Sequence, residues 1–238
     1  MRDLALSGSV PHAKRNGAPP RQHAPSADEL ASWVSLTAPV AGAFDALASR
    51  IDSSGVRILG FTSALSGEGV STIALGTALA LAALRRDAVL LVDANWIQPS
   101  LTSDAHLGSA RGLAECLGSD ASVAAVARPA SRPRLWFLPV GDRQLARPSL
   151  RALESFVADG LDAFGAVVVD LPALLPAEQF VVPWPPVLDQ LFVVLRDAAT
   201  PLALVRQALE KLGSHAATQL VLNRASAPEA RFRPTDRR

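Results

Sequence analysis

The 238 residues are enough to build one sizeable α/β core. Hydrophobic residues make up 49% and the formal net charge is +1, a balance that excludes bulk electrostatic binding to nucleic acid, so no nucleic-acid partner is expected. The single cysteine, Cys116, excludes an intrachain disulfide and fits a reducing compartment. No apolar run approaches the roughly 18 to 20 residues needed to span a bilayer. The longest, Ile73 to Leu84, ends on Arg85-Arg86-Asp87, and the N-terminus lacks the apolar core of a signal peptide. The expected location is the cytoplasm, with the inner face of the membrane reached only through a partner.

Residues 1–27 are rich in Pro, Gly, Ser, Arg and His and read as a disordered basic tail. One domain is expected over 28–225, followed by a flexible basic tail over 226–238. Residues 28–51 read as helical, with Leu30, Trp33, Val34 and Leu36 on one face. Pro39 breaks this helix, and a second runs from Val40 to Ile51. Strands are expected at Val56–Thr62, Ala88–Val92, Leu135–Val140, Ala166–Val169, Gln190–Leu195 and Gln219–Leu222. Helices fall between them at Ser71–Arg86, Gly112–Leu117, Ser149–Phe164 and Thr200–Leu212. Continuous apolar strands point to burial on both faces, and the alternation predicts an α/β fold: an open, mainly parallel sheet with helices on both sides. Ligands of such sheets bind at the carboxyl ends of the strands.

At one such end, the segment Phe61-Thr-Ser-Ala-Leu-Ser-Gly-Glu-Gly-Val-Ser-Thr72 joins a strand to a helix. A Gly-rich loop there aims backbone N–H groups and a helix N-terminus at phosphate. Gly67, Glu68, Gly69, Val70, Ser71 and Thr72 are the candidate nucleotide-binding residues, with Ser71 at the Mg²⁺-binding position of a P-loop. The P-loop lysine, which neutralises phosphate charge, is replaced by Val70.

This run resembles the Walker A loop of the bacterial tyrosine kinases of capsule and exopolysaccharide synthesis, a branch of the MinD and ParA-type ATPases. Further motifs follow in the family's order: Val89-Leu-Leu-Val-Asp-Ala-Asn-Trp-Ile-Gln-Pro-Ser-Leu101, Gly112-Leu-Ala-Glu-Cys-Leu117, Val167-Val-Val-Asp-Leu-Pro172 and Leu220-Val-Leu-Asn-Arg224. The resemblance covers about residues 40–225. It implies a P-loop NTPase-like fold and a site for ATP or ADP with Mg²⁺. It implies Asp93 and Asp170 as retained catalytic carboxylates, Ser71 and Asp93 toward Mg²⁺, and Asn223 toward the base. It also implies a membrane polysaccharide chain-length or export protein as partner.

The departures point to a degenerate member. Val70 stands at the lysine, Asn95 at the second carboxylate of the Asp-x-Asp signature, and Ile97 at its arginine. The chain contains no tyrosine, so the family's C-terminal autophosphorylation cluster is absent. Gly42, Asp45 and Ala48 align with the Glu-x-x-Arg-x-x-Arg of the ring-forming helix, so a ring of the family type is not expected. The expected function is a pseudokinase regulating exopolysaccharide synthesis or export, with weak or no ATP hydrolysis and weak nucleotide binding. Two alternatives stand beside it: an active ATPase that substitutes Arg57, Arg85 or Arg86 for the lysine, and a MinD or ParA-type positioning protein. Trp96 either plugs the nucleotide pocket, contacts a partner or packs in the core. Trp184, in a Pro-rich run, is expected in an ordered surface loop. The four histidines share no metal-ligand spacing.

Overall fold

Five runs of Val, Leu, Ile and Phe with almost no polar interruption form the central strands of a seven-stranded sheet: β1 (Ile58–Ser63), β2 (Val89–Asp93), β4 (Leu135–Leu138), β5 (Ala166–Asp170) and β6 (Gln190–Arg196). The computed structural model describes residues 38–119, 121–213 and 217–224. The expected tails over 1–27 and 226–238, and the apolar face of Leu30, Trp33, Val34 and Leu36, lie outside the described residues. The strand order is β3-β4-β2-β5-β1-β6-β7. Every pairing is parallel except that of the two-residue β3 (Arg128–Pro129), which runs antiparallel on one edge. The other edge is β7 (Ala217–Asn223), where Leu220 and Leu222 are 53% and 60% exposed.

Two apolar layers cover the sheet. On one face lie α1 (Ala38–Ser54) and α2 (Val70–Leu84). Helix α2 is apolar nearly all round and is buried along most of its length, as such a helix must be. It meets α1 at Gly76, where a Cβ would lie 2.3 Å from the Phe44 ring. The helix expected to begin at Val40 starts at Ala38, which puts Pro39 in its first turn, where proline is tolerated. Phe44, Ala48 and Ile51 are buried against the domain's own core. Gly42 and Asp45 are exposed, but Ala48, at 1% exposure, does not present itself to a neighbour as a ring-forming arginine would.

The short α3 (Ser100–Asp104) adds Leu101 to the layer of α1 and α2. The opposite face carries α4 (Leu113–Gly118), α5 (Val123–Val126), α6 (Leu150–Gly160), α7 (Leu174–Val181) and α8 (Leu202–Leu212). Ser149 caps α6 by accepting from the Ala152 N–H. Cys116 is half-buried on α4, and burial first, then the Glu115 charge, pushes its thiol up to about 11, in keeping with an unreactive thiol.

Trp184 overturns its expected place in a surface loop. It is fully buried in the core. The Pro-rich run folds inward through a short 3-10 turn at Pro185–Val187, so its prolines serve packing. Helix α7 has no counterpart among the expected helices; it carries Pro176 in its first turn and kinks at Ala177.

Candidate functional site

Parallel strands β1, β2 and β5 end side by side, and the loops beyond them enclose a cleft of about 300 Å³. Its floor is the 63–72 loop. Gly67 (φ +83°) and Gly69 (φ +90°) adopt left-handed backbone conformations that side chains resist, which turns the loop and starts α2. Gly67, Glu68, Gly69, Val70, Ser71 and Thr72 all line the cleft, so six of the sequence-derived binding residues are brought together. Ser63, Ser66, Asn95, Ile97, Gln98 and Ser100 also line it, as do Leu171–Ala173, Pro176 and Ala177. None of these lining residues is Lys, Arg or His. Among the described residues, the left-handed glycines of a phosphate loop are present and the lining carries no side-chain cation.

Asp93 and Asp170 sit beneath the cleft and do not line it. They are register partners on adjacent strands and both are fully buried. Asp93 closes the next turn, accepting from the Thr102 N–H (2.8 Å) and the Asn95 N–H (3.1 Å). Burial outweighs these bonds and raises its carboxyl to about 6. Among the described residues, neither oxygen of Asp170 has a partner at hydrogen-bond geometry. Burial, then repulsion from Asp93, pushes Asp170 well above the usual carboxylate range, while the nearby Ser71 hydroxyl acts in the opposite sense. Such a pair is poised to share one proton or to take a cation.

The donors fit Mg²⁺ only in company. Two carboxylates and the Ser71 hydroxyl are hard oxygen ligands, the kind that hold Mg²⁺ together with phosphate oxygens. Among the described residues, no group of three or more His, Cys, Asp or Glu is placed to hold a metal by itself. Ser71 Oγ accepts from Ser100 Oγ at 3.0 Å, which draws the loop after β2 onto the phosphate loop.

Asn223 also does something the sequence did not suggest. Its Nδ2 donates to the Glu68 carbonyl (2.8 Å) and lies 2.3 Å from where a Cβ on Gly69 would be. It therefore braces the phosphate loop, and only glycine fits at 69. Glu68 is buried and accepts from Thr200, in the loop after β6.

The supposed substitutes for the lysine are elsewhere. Arg57 precedes β1, and its guanidinium bonds the carbonyls of Leu161 and Phe164. Arg85 follows α2 and bonds Asp52 and the Gly165 carbonyl; Arg86 is exposed beside it. All three lie at the amino ends of the strands, about 20 Å from the loop given a 15-residue helix between. Lys211 pairs with Glu178. Trp96 does not plug the cleft; it is buried, stacks on Phe180 and donates to the Ala146 carbonyl.

The comparisons agree with this geometry. The chain is 33% identical over 187 residues to the succinoglycan biosynthesis transport protein ExoP of Rhizobium meliloti (strain 1021), a match covering 73% of this chain and 23% of that protein. Its fold matches the kinase domain of VpsO with a TM-score of 0.65 at 26% identity, covering 78% of this chain and 94% of that one. In sequence and fold the chain is similar to the bacterial tyrosine kinase branch of the P-loop ATPases. The kinase domain of the Escherichia coli tyrosine kinase ETK shares the fold, with a TM-score of 0.63 at 19% identity over 79% of this chain and 78% of that one. No family model matches. The chain spans about a quarter of the length of ExoP, the curated relative it matches. Val70, Asn95 and Ile97, three of the departures from the kinase motifs expected from the sequence, all line the cleft. No helix among the described residues is long and apolar enough to cross a membrane.

Two residues that bond the cleft loops from outside the lining escaped the sequence reading. Arg143 and Thr200 lie in the loops after β4 and β6. Their signal was positional, since every loop at the carboxyl end of a parallel sheet belongs to the site.

Proposed function

We propose that this domain is a degenerate, kinase-like regulatory component of exopolysaccharide or capsule synthesis and export. One observation carries the reading: the phosphate loop keeps its left-handed glycines and helix start, while no lining side chain is cationic. Backbone N–H groups of residues 67–72 then hold the phosphates of ATP or ADP weakly. Ser71, with Asp93 behind it, would hold Mg²⁺ together with those phosphates. Mg²⁺ would offset phosphate charge, but the electrostatic stabilisation a lysine gives to phosphoryl transfer is missing. The domain acts at the inner face of the membrane through a chain-length or export protein. Nucleotide occupancy, not phosphotransfer, is the signal.

The purified protein is expected to hydrolyse ATP far below the usual enzyme median of roughly 10 per second. It is expected to yield no phosphotyrosine, since it has no tyrosine. Steady-state phosphate release with Mg·ATP measures the first point, and turnover near that median defeats the proposal. Assembly gives a second expectation. Asp45 is exposed where the ring helix has an arginine, and Ala48 faces the core. Light scattering should find monomers or small oligomers; a stable octameric mass would overturn this.

A further inference from the structure

We propose that Arg143 supplies the cation of the cleft, binding a phosphate group of the nucleotide held on the 63–72 loop. The proposal rests on reading the cleft as a nucleotide site and deepens it. Arg143 Nη1 donates to the carbonyl of Trp96 (2.7 Å) and to that of Ile97 (3.3 Å). Ile97 stands where the kinase signature places its arginine. A guanidinium from a different loop is thus anchored on the backbone of the residue that lost one. Residues on both sides of the anchor, Asn95 and Gln98, line the cleft with Ile97.

The anchor leaves most of the guanidinium free. Among the described residues, no group accepts from Nε or Nη2, so a fork of N–H donors is available to an anion. The charge is felt inside the site, since Arg143 acts to lower the proton affinity of Asp93.

The loop that carries it is built to hold still. Glu115 accepts from both the Gly112 and Asp142 N–H groups. Thr102 accepts from the Val140 N–H, and Asp142 from the Gln144 N–H. Thr102 also donates its backbone N–H to Asp93. The arginine is therefore tied through the fold to the carboxylate pair beneath the cleft. No other arginine or lysine side chain among the described residues bonds to the 93–98 loop. A simpler role is a clamp on two carbonyls with no anion involved, and the test separates the two.

Titration of the full chain with a fluorescent ATP analogue and Mg²⁺, at several salt concentrations, compares wild type with Arg143→Gln, Arg143→Lys and the distant control Arg86→Gln. Arg143→Gln should bind about tenfold more weakly, the effect of one charge-assisted hydrogen bond, with a flatter salt dependence. Arg143→Lys keeps the charge but loses the fork, so its affinity should fall between wild type and Arg143→Gln; Arg86→Gln should match wild type. Wild-type affinity and salt dependence in Arg143→Gln overturn the proposal. So does an Arg143→Lys loss as large as that of Arg143→Gln with a parallel fall in melting temperature, which marks a backbone clamp. If wild-type binding falls below detection, the same substitutions are read in the Val70→Lys background. Binding there that ignores Arg143→Gln defeats the arginine's role alone. Absence of binding even in Val70→Lys defeats the nucleotide reading and this proposal together.

Discussion

Replacing Val70 by lysine is expected to tighten Mg·ATP binding by about ten- to a hundredfold. Val70 is the first residue of α2 and lines the cleft in the position of the missing lysine. The loop around it already has its two left-handed glycines, braced from outside by Asn223 and Thr200. The substitution therefore adds charge without asking the backbone to move. Charge-assisted hydrogen bonds contribute about 1.5–3 kcal/mol, which converts to that range of affinity. Titration calorimetry with and without Mg²⁺ measures it. Trp96 is buried in the core and does not block the cleft, so an unchanged affinity would mean that the loop does not present its N–H groups to phosphate.

The substitution Asp170→Asn is expected to stabilise the metal-free protein above neutral pH, and hardly at all near pH 4. Asp170 is fully buried with no hydrogen-bond partner among the described residues, and its neighbour Asp93 is raised to about 6. A carboxyl whose folded pKa is raised holds its proton better in the native state. Its stability contribution is therefore complete below the unfolded value of about 3.9 and is lost as pH rises through the folded value. For Asp93 that window runs from about 4 to about 6. Asp170 is raised in the same direction, so its loss falls above the usual carboxylate range. A neutral amide at this position would remove both the buried charge and its repulsion of Asp93. The melting temperature at pH 8 should rise by roughly 5 °C over wild type, with near coincidence at pH 4. A lower melting temperature at pH 8 would show that the Asp170 charge is compensated, and the idea of an unpaired acidic couple would be wrong.

The sheet was legible because its cause is local. Runs such as Val167-Val-Val169 and Leu191-Phe-Val-Val-Leu195 are apolar without alternation, and only burial on both faces accommodates that. The phosphate loop was legible because Gly67 and Gly69 are a local conformational requirement and all its members are consecutive. Val70 advertised the missing charge for the same reason. Helix α7 and Trp184 were not legible: proline marks a turn locally, whereas the core decides whether the turn faces outward or in. The place of each cation was out of reach as well. Arg57, Arg85 and Arg86 are near the loop in sequence, yet a strand and a helix of fixed length carry them to the other end of the sheet. Arg143 is far away in sequence, but β4 pairs with β2, and the parallel register delivers its loop to the carbonyls of Trp96 and Ile97. Composition and spacing determine which groups the chain owns. Strand order, a product of long-range pairing, decides which of them meet.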